Sequence, residues 1–125
     1  MRNGRRESAH SRGIWGEEQV AKYLQAQGAE ILDVRWRCRY GELDLVAQWG
    51  EYLCLVEVKL RKSDAFAPAR AFVTEAKQER LMITAGLYLQ EKPTKLQPRF
   101  DVAEVYAPQG TATKSPEIIY WENAF

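Results

Sequence analysis

The sequence predicts a layered α/β or α+β fold in which a mixed sheet is flanked by helices, and three observations carry that expectation. Two stretches, Ile14 to Gln27 and Thr74 to Gln90, repeat their apolar residues at helical spacing. Five shorter runs are rich in β-branched and apolar residues and bounded by turn formers, as strands are. Their order is helix, three strands, helix, strand, strand, so consecutive hairpins are combined with a crossing helix, which implies a mixed sheet covered by helices.

With 125 residues, 46% hydrophobic and 28% charged, the composition suits a single domain, residues 13–125, able to bury about two-thirds of its unfolded surface. Met1 to Arg12 carries Arg2, Arg5, Arg6 and Arg12 against Glu7 and reads as a basic disordered arm. No apolar run follows it, so neither a signal peptide nor an Arg-Arg export signal is expected, and no stretch nears the ~18 apolar residues that span a bilayer. No membrane partner and a cytoplasmic location are the expectations. Cys38 and Cys54 stand singly, with His10 in the arm as the sole histidine, which argues against zinc and for free thiols in a reducing compartment. A net charge of +1 excludes binding by bulk charge but leaves room for a local basic surface.

In the first helix Val20, Ala21 and Leu24 form the inward stripe, and Gly28 sits where a helix commonly stops. Glu17 falls at the edge of that stripe, whereas Glu18 shares the outer face with Lys22 and Gln25. A first-turn acid favoured by the helix dipole is the plain account of Glu17. Ile31 to Arg39 follows as a strand, with Leu32, Val34, Trp36 and Cys38 on one face and Asp33, Arg35, Arg37 and Arg39 on the other. Such an arginine row is either a solvated face or a set of phosphate contacts.

The next two strands, Gly41 to Ala47 and Tyr52 to Lys59, are apolar enough to be central, yet Glu42, Asp44, Glu57 and Lys59 interrupt them. A loop at Trp49-Gly50 sets Glu42 opposite Glu57, and a loop at Gly50-Glu51 sets Asp44 opposite Glu57. Either register gathers the acids on one face, roughly 5 to 8 Å apart at the backbone, where they destabilise the sheet unless a small cation lies between them. Leu60 to Phe72, with Arg61, Lys62, Pro68 and Arg70, reads as a basic loop. Thr74 caps the second helix, whose Leu81, Ala85 and Tyr88 point inward. Lys77 and Arg80 in its opening turns oppose the dipole, as solvated charge or as phosphate ligands. After the connector Glu91 to Pro98, Arg99 to Tyr106 and Glu117 to Trp121 complete the strands.

Several of these residues together carry a family resemblance: Gly16-Glu17 with Ala21 and Leu24, Arg37-Cys38-Arg39, Gly41-Glu42-Leu43-Asp44, Val56-Glu57-Val58-Lys59 with Arg61, Lys77 with Arg80, Arg99-Phe100-Asp101, and Asn123-Ala124-Phe125. Across residues 13–125 the chain resembles the YraN-type family of uncharacterised bacterial proteins. More distantly, the set Glu17, Asp44, Glu57 and Lys59 is similar to that of archaeal-type Holliday junction resolvases. The resemblance implies a restriction-endonuclease-like α-β-β-β-α-β core with an extra C-terminal strand. Arg35 stands where the family usually has Asn, Leu43 where it has Ile and Ala67 where it has Gly; none of these removes an expected ligand.

The function so implied is a Mg²⁺-dependent (or Mn²⁺-dependent) endonuclease acting on DNA more readily than RNA, including branched or junction DNA, as a homodimer. Asp44, Glu57 and the Val58 carbonyl would hold the metal, with Glu17 completing the shell, and Lys59 would position water or stabilise developing charge. Glu42 shares the face but ranks below Asp44, being nearer the strand start. Arg37, Arg39, Arg61, Lys77 and Arg80 would meet the phosphates. Two other readings fit the same residues: a catalytically inactive nucleic-acid-binding or scaffold module, and a structural ion-pair network in which Lys59 neutralises Glu57.

Overall fold

The computed structural model describes residues 8–62 and 73–125. Along these run α1 (Ala9–Ala26), β1 (Glu30–Cys38), β2 (Gly41–Trp49), β3 (Tyr52–Arg61), α2 (Glu75–Glu91), β4 (Gln97–Tyr106), a 3-10 turn at Gly110–Ala112 and β5 (Glu117–Trp121). The strands form one sheet in the order β1-β2-β3-β4-β5. β3 and β4 are parallel because α2 carries the chain across between them, while the other pairs are antiparallel. The mixed α/β architecture expected from the order of elements is therefore present. Among the described residues no helix is long and apolar enough to cross a membrane.

Both faces of the sheet are covered, which explains the nearly unbroken apolar run of β3. Leu53 and Leu55 pack with Leu43, Val46, Leu81, Ala85 and Tyr88 under α2. Cys54 and Val56 pack with Val20, Leu24, Leu45 and Ala103 under α1. The helices approach closely at two glycines. A Cβ on Gly16 would come within 3.3 Å of Leu60 Cδ1, and one on Gly41 within 2.9 Å of Thr84 Oγ1.

Several expected boundaries shift. α1 begins at Ala9, with the Ser8 hydroxyl accepting from the Ser11 N–H at 3.0 Å, so residues 8 to 12 of the expected disordered arm cap and open a helix. Ala9 to Arg12 lacks the large apolar residues that would have shown the period. β3 continues through Leu60 and Arg61, which pair with Val105 and Tyr106 and so leave the expected loop. The rest of that arm, and the loop's Ala67, Pro68 and Arg70, lie outside the described residues. The β2–β3 connection is Gly50-Glu51, since Trp49 pairs with Tyr52. Gly50 takes φ +61, the conformation that the first residue of a tight hairpin loop requires.

The two-face pattern expected for β1 fails twice, where the register against β2 slips between Ile31 and Asp33 and again at Arg35, whose φ is 49. Asp33 accepts from the Tyr88 hydroxyl at 2.6 Å, and Trp36 lies edge-on to the Tyr88 ring at 5.2 Å, so both face α2 despite an odd spacing. Leu32 and Val34 are left exposed. A register slip and a left-handed residue in one strand each move the side chains beyond them to the other face.

The Arg99-Phe100-Asp101 and Asn123-Ala124-Phe125 motifs meet as a structural clasp. Asp101, fully buried, accepts from Arg99 Nε at 2.9 Å and Nη2 at 3.0 Å, from the Tyr120 hydroxyl at 2.6 Å and from the Asn123 N–H at 2.9 Å. The Ala124 N–H donates to the Phe100 carbonyl at 2.8 Å, and the Phe125 and Phe100 rings stack at 5.0 Å. A buried carboxylate satisfied this completely is tolerated, because protein donors stand in for the water that burial removes.

Candidate functional site

The unusual charges converge where β2 and β3 part. Main-chain pairing runs from Trp49 and Tyr52 to Leu45 and Val56. One step further the Val58 N–H donates to Asp44 Oδ2 at 2.9 Å, so a carboxylate takes over at the end of the ladder. Of the two registers open in the sequence, this is the one that sets Asp44 against Glu57. Asp44 and Glu57 line an otherwise apolar pocket with Leu43, Leu55, Leu81, Phe100 and Phe125. Burial there, followed by the neighbouring Glu57 charge, pushes the Asp44 carboxyl up to about 8.

Glu17 reaches the same place from α1, held there by the tight contact of Gly16 with Val58 and Leu60. Glu17, Glu42 and Asp44 each offer a carboxylate oxygen within 4.8 Å of the other two. Glu42 therefore belongs to the cluster more closely than its place near the strand start suggested. Glu17 is buried, and burial raises its pKa against the pull of Arg35, whose Nη1 lies 2.7 Å from Glu17 Oε1. Glu42 receives Arg37 Nε at 2.5 Å.

Glu57, also buried, is flanked by two lysines. Lys77 from the opening of α2 contacts its Oε2 directly, and Lys59 Nζ lies 3.3 Å from the same oxygen. The two ammonium groups respond in opposite directions. Burial, then the adjacent Lys77, lowers the Lys59 pKa. Burial also acts to lower Lys77, but its bonds to Glu57 and Lys59 outweigh that and hold it raised. Four carboxylates thus meet four cations, Arg35, Arg37, Lys59 and Lys77. Asp44 is the one acid of the four that makes no direct ion pair among the described residues; Lys77 acts on it through space alone.

The remaining expected contacts are scattered. Arg39 lies over the Tyr40 ring at 4.8 Å and donates to its hydroxyl at 2.6 Å, at the tip of the β1–β2 hairpin. The expected row of Arg35, Arg37 and Arg39 is divided among Glu17, Glu42 and Tyr40. Arg61 is half-buried at the end of β3, with Nε and Nη2 out of solvent. Arg80 is exposed on α2. Val58 pairs with Ala103 of β4 while its N–H serves Asp44. Two pairings were not foreseeable from the sequence, Arg35 with Glu17 and Lys77 with Glu57. The positive φ that aims Arg35 leaves no compositional trace, and α2 had no visible register against β3.

The model of the uncharacterised protein family UPF0102 matches residues 16–105. The chain belongs to the UPF0102 family. It is 44% identical over 91 residues to a UPF0102 protein of Hahella chejuensis, covering 72% of this chain and 73% of that one. It is 38% identical over 114 residues to one of Rhodococcus opacus, covering 90% and 94%, and 36% identical over 118 residues to one of Nitrosomonas europaea, covering 94% and 96%. The UPF0102 match contains the whole group from Glu17 to Lys77 and ends before Tyr120 and the closing Asn123-Ala124-Phe125.

Proposed function

We propose that this UPF0102 protein is a metal-dependent nuclease that hydrolyses phosphodiester bonds in DNA, on a restriction-endonuclease-like α-β-β-β-α-β core extended by β5. The observation that carries the reading is the position of Asp44. It sits without a direct ion pair among the described residues at the split between β2 and β3, its carboxylate within 4.8 Å of those of Glu17 and Glu42 and next to the Glu57 charge. All-carboxylate donors suit Mg²⁺ or Mn²⁺, and oxygens on opposite sides of such an ion lie ~4–5 Å apart, in keeping with this cluster. Asp44, Glu57, Glu17 and the Val58 carbonyl would hold the ion; the cluster itself joins Asp44 and Glu17 with Glu42, a further donor within reach, and Glu57 lies outside it. When bound, such an ion polarises the phosphoryl oxygens and lowers the pKa of its water.

The chain's own residues supply the rest. Lys59 Nζ, 3.3 Å from Glu57 Oε2, orients the attacking water or donates to the phosphoryl oxygen as charge develops there. Lys77 keeps its proton and holds the Glu57 carboxylate in place. Arg37, Arg39, Arg61 and Arg80, with Lys77 beside Glu57, would contact the phosphate backbone, and a two-fold dimer would present two such sites to a four-way junction.

A second reading, a nucleic-acid-binding module without catalysis, is favoured by the ion pairs that already occupy Glu17, Glu42 and Glu57. The deciding assay offers linear, flapped and four-way DNA and single-stranded RNA to the protein with Mn²⁺, beside Asp44→Asn. Cleavage by the wild type that is lost in Asp44→Asn supports the nuclease. Binding without cleavage of any substrate replaces it with the module.

A further inference from the structure

We propose that Arg35 is a built-in counter-ion that keeps Glu17 closed to metal and releases it only by exchange. This regulation of the carboxylate site rests on its being a metal site. Glu17 Oε1 receives Arg35 Nη1 at 2.7 Å, and the same carboxylate belongs to the three-acid cluster whose oxygens lie within 4.8 Å of one another. A guanidinium and a divalent ion therefore compete for one side chain. The carboxylate is buried, so it needs one partner or the other.

The backbone makes the arrangement specific. At φ 49, Arg35 turns its side chain to α1, while Asp33 and Trp36 on either side of it face α2. A β1 with regular alternation would not hold these three in that arrangement. The guanidinium also has somewhere to go. Its side chain is 32% exposed and lines an open cleft of about 320 Å³ between α1 and β1. Glu18 lines the same cleft and offers a second carboxylate to a displaced arginine. Exchange thus moves one cation out as another enters, and Glu17 is never left buried and bare.

A site that must first be opened binds with an affinity reduced by the fraction of molecules in the open form. Removing the latch should tighten Mn²⁺ binding. Asn is the suitable replacement, since its short side chain tolerates φ near 50°; Arg35→Gly adopts the same φ and serves as a second variant. Full-length wild type, Arg35→Asn, Arg35→Gly, Glu17→Gln and the Arg35→Asn/Glu17→Gln double variant are titrated with Mn²⁺ by calorimetry, with melting curves to verify folding.

The expected result is about tenfold tighter Mn²⁺ binding in Arg35→Asn, equivalent to ~1.4 kcal/mol and consistent with the loss of a hydrogen bond to a charged group. That gain disappears in the Glu17→Gln background, where no carboxylate remains to be unlocked. Wild-type binding with an equal or lower affinity in the folded Arg35 variants overturns the latch and leaves the metal site standing. A gain that persists without the Glu17 carboxylate also overturns it, as a general charge effect. Absence of Mn²⁺ binding in every variant removes the metal site and the latch with it.

Discussion

Asp44→Asn should make the metal-free protein more stable, by an amount that grows with pH. The Asp44 carboxyl titrates at about 8 in the folded chain against an ordinary value of 3.8. A raised folded pKa means that the stabilising contribution is complete below 3.8 and is lost as pH rises toward 8, because the unfolded chain ionises the group freely while the fold resists it. Each unit corresponds to ~1.36 kcal/mol, so the shift sets a ceiling of ~6 kcal/mol at pH 8 and above. Relaxation and water entry around the ionised group reduce this to ~2 kcal/mol. Asn removes the charge and keeps an oxygen for the Val58 N–H. For a chain of this length ~2 kcal/mol corresponds to a rise of ~6–10 °C in Tm. Thermal melts in a chelator at pH 4, 6 and 8 measure it, with little difference expected at pH 4 and the full one at pH 8. Saturating Mn²⁺ should reverse the order, stabilising the wild type by mass action and the variant little. A variant that is less stable at pH 8, or a difference that ignores pH, would refute the account of Asp44 as a strained, cation-seeking carboxylate.

Lys59→Ala should retain Mn²⁺ and DNA affinity while cleavage falls ~100-fold, as when a single electrostatic stabiliser is removed; a lower Tm with unchanged cleavage would instead make Lys59 a counter-ion of Glu57. Asp101→Ala should cost ~3 kcal/mol in denaturant unfolding, since it takes from Arg99 its two-point partner and leaves the longer ion pair with Glu122 at 3.6 Å, yet leave Mn²⁺ affinity as it was; a parallel loss of metal binding would tie the clasp to the site. Arg37→Ala with Arg39→Ala should weaken DNA binding alike for all sequences and flatten the plot of log K against log salt by ~0.9 for each phosphate no longer neutralised, and an unchanged slope would return both arginines to the solvated surface.

The sequence revealed the parts of this fold that periodicity can show. The order of elements, the crossing by α2 and the strands around Asp44 and Glu57 all follow from apolar spacing and turn residues. The sequence admits two hairpin registers, because Trp49-Gly50 and Gly50-Glu51 are both tight loops and only the pairing of Trp49 with Tyr52 in the folded sheet separates them. The acids of the site were visible because charge inside apolar strands is costly. Their cations were harder to find. Arg35 looked like one member of an arginine row, and only its left-handed backbone assigns it to Glu17. Lys77 lies on another element from Glu57, and its contact depends on how α2 sits on the sheet, which no local pattern encodes. The helical start at Ala9 was hidden because its first turn carries no large apolar residue.

The parallel pairing of β3 with β4 has a consequence for how the chain assembles. β1, β2 and β3 are joined by short turns and can zip together soon after they are made. β3 nevertheless keeps one edge open, with Leu53, Cys54, Leu55 and Val56 destined for burial on both its faces, until α2 has passed over and β4 has docked. During synthesis this leaves an interval in which an apolar strand edge is available to any other chain, a known starting point for aggregation. A fragment ending at Glu91 should therefore bind hydrophobic dyes and self-associate, whereas extension through Tyr106 should suppress both.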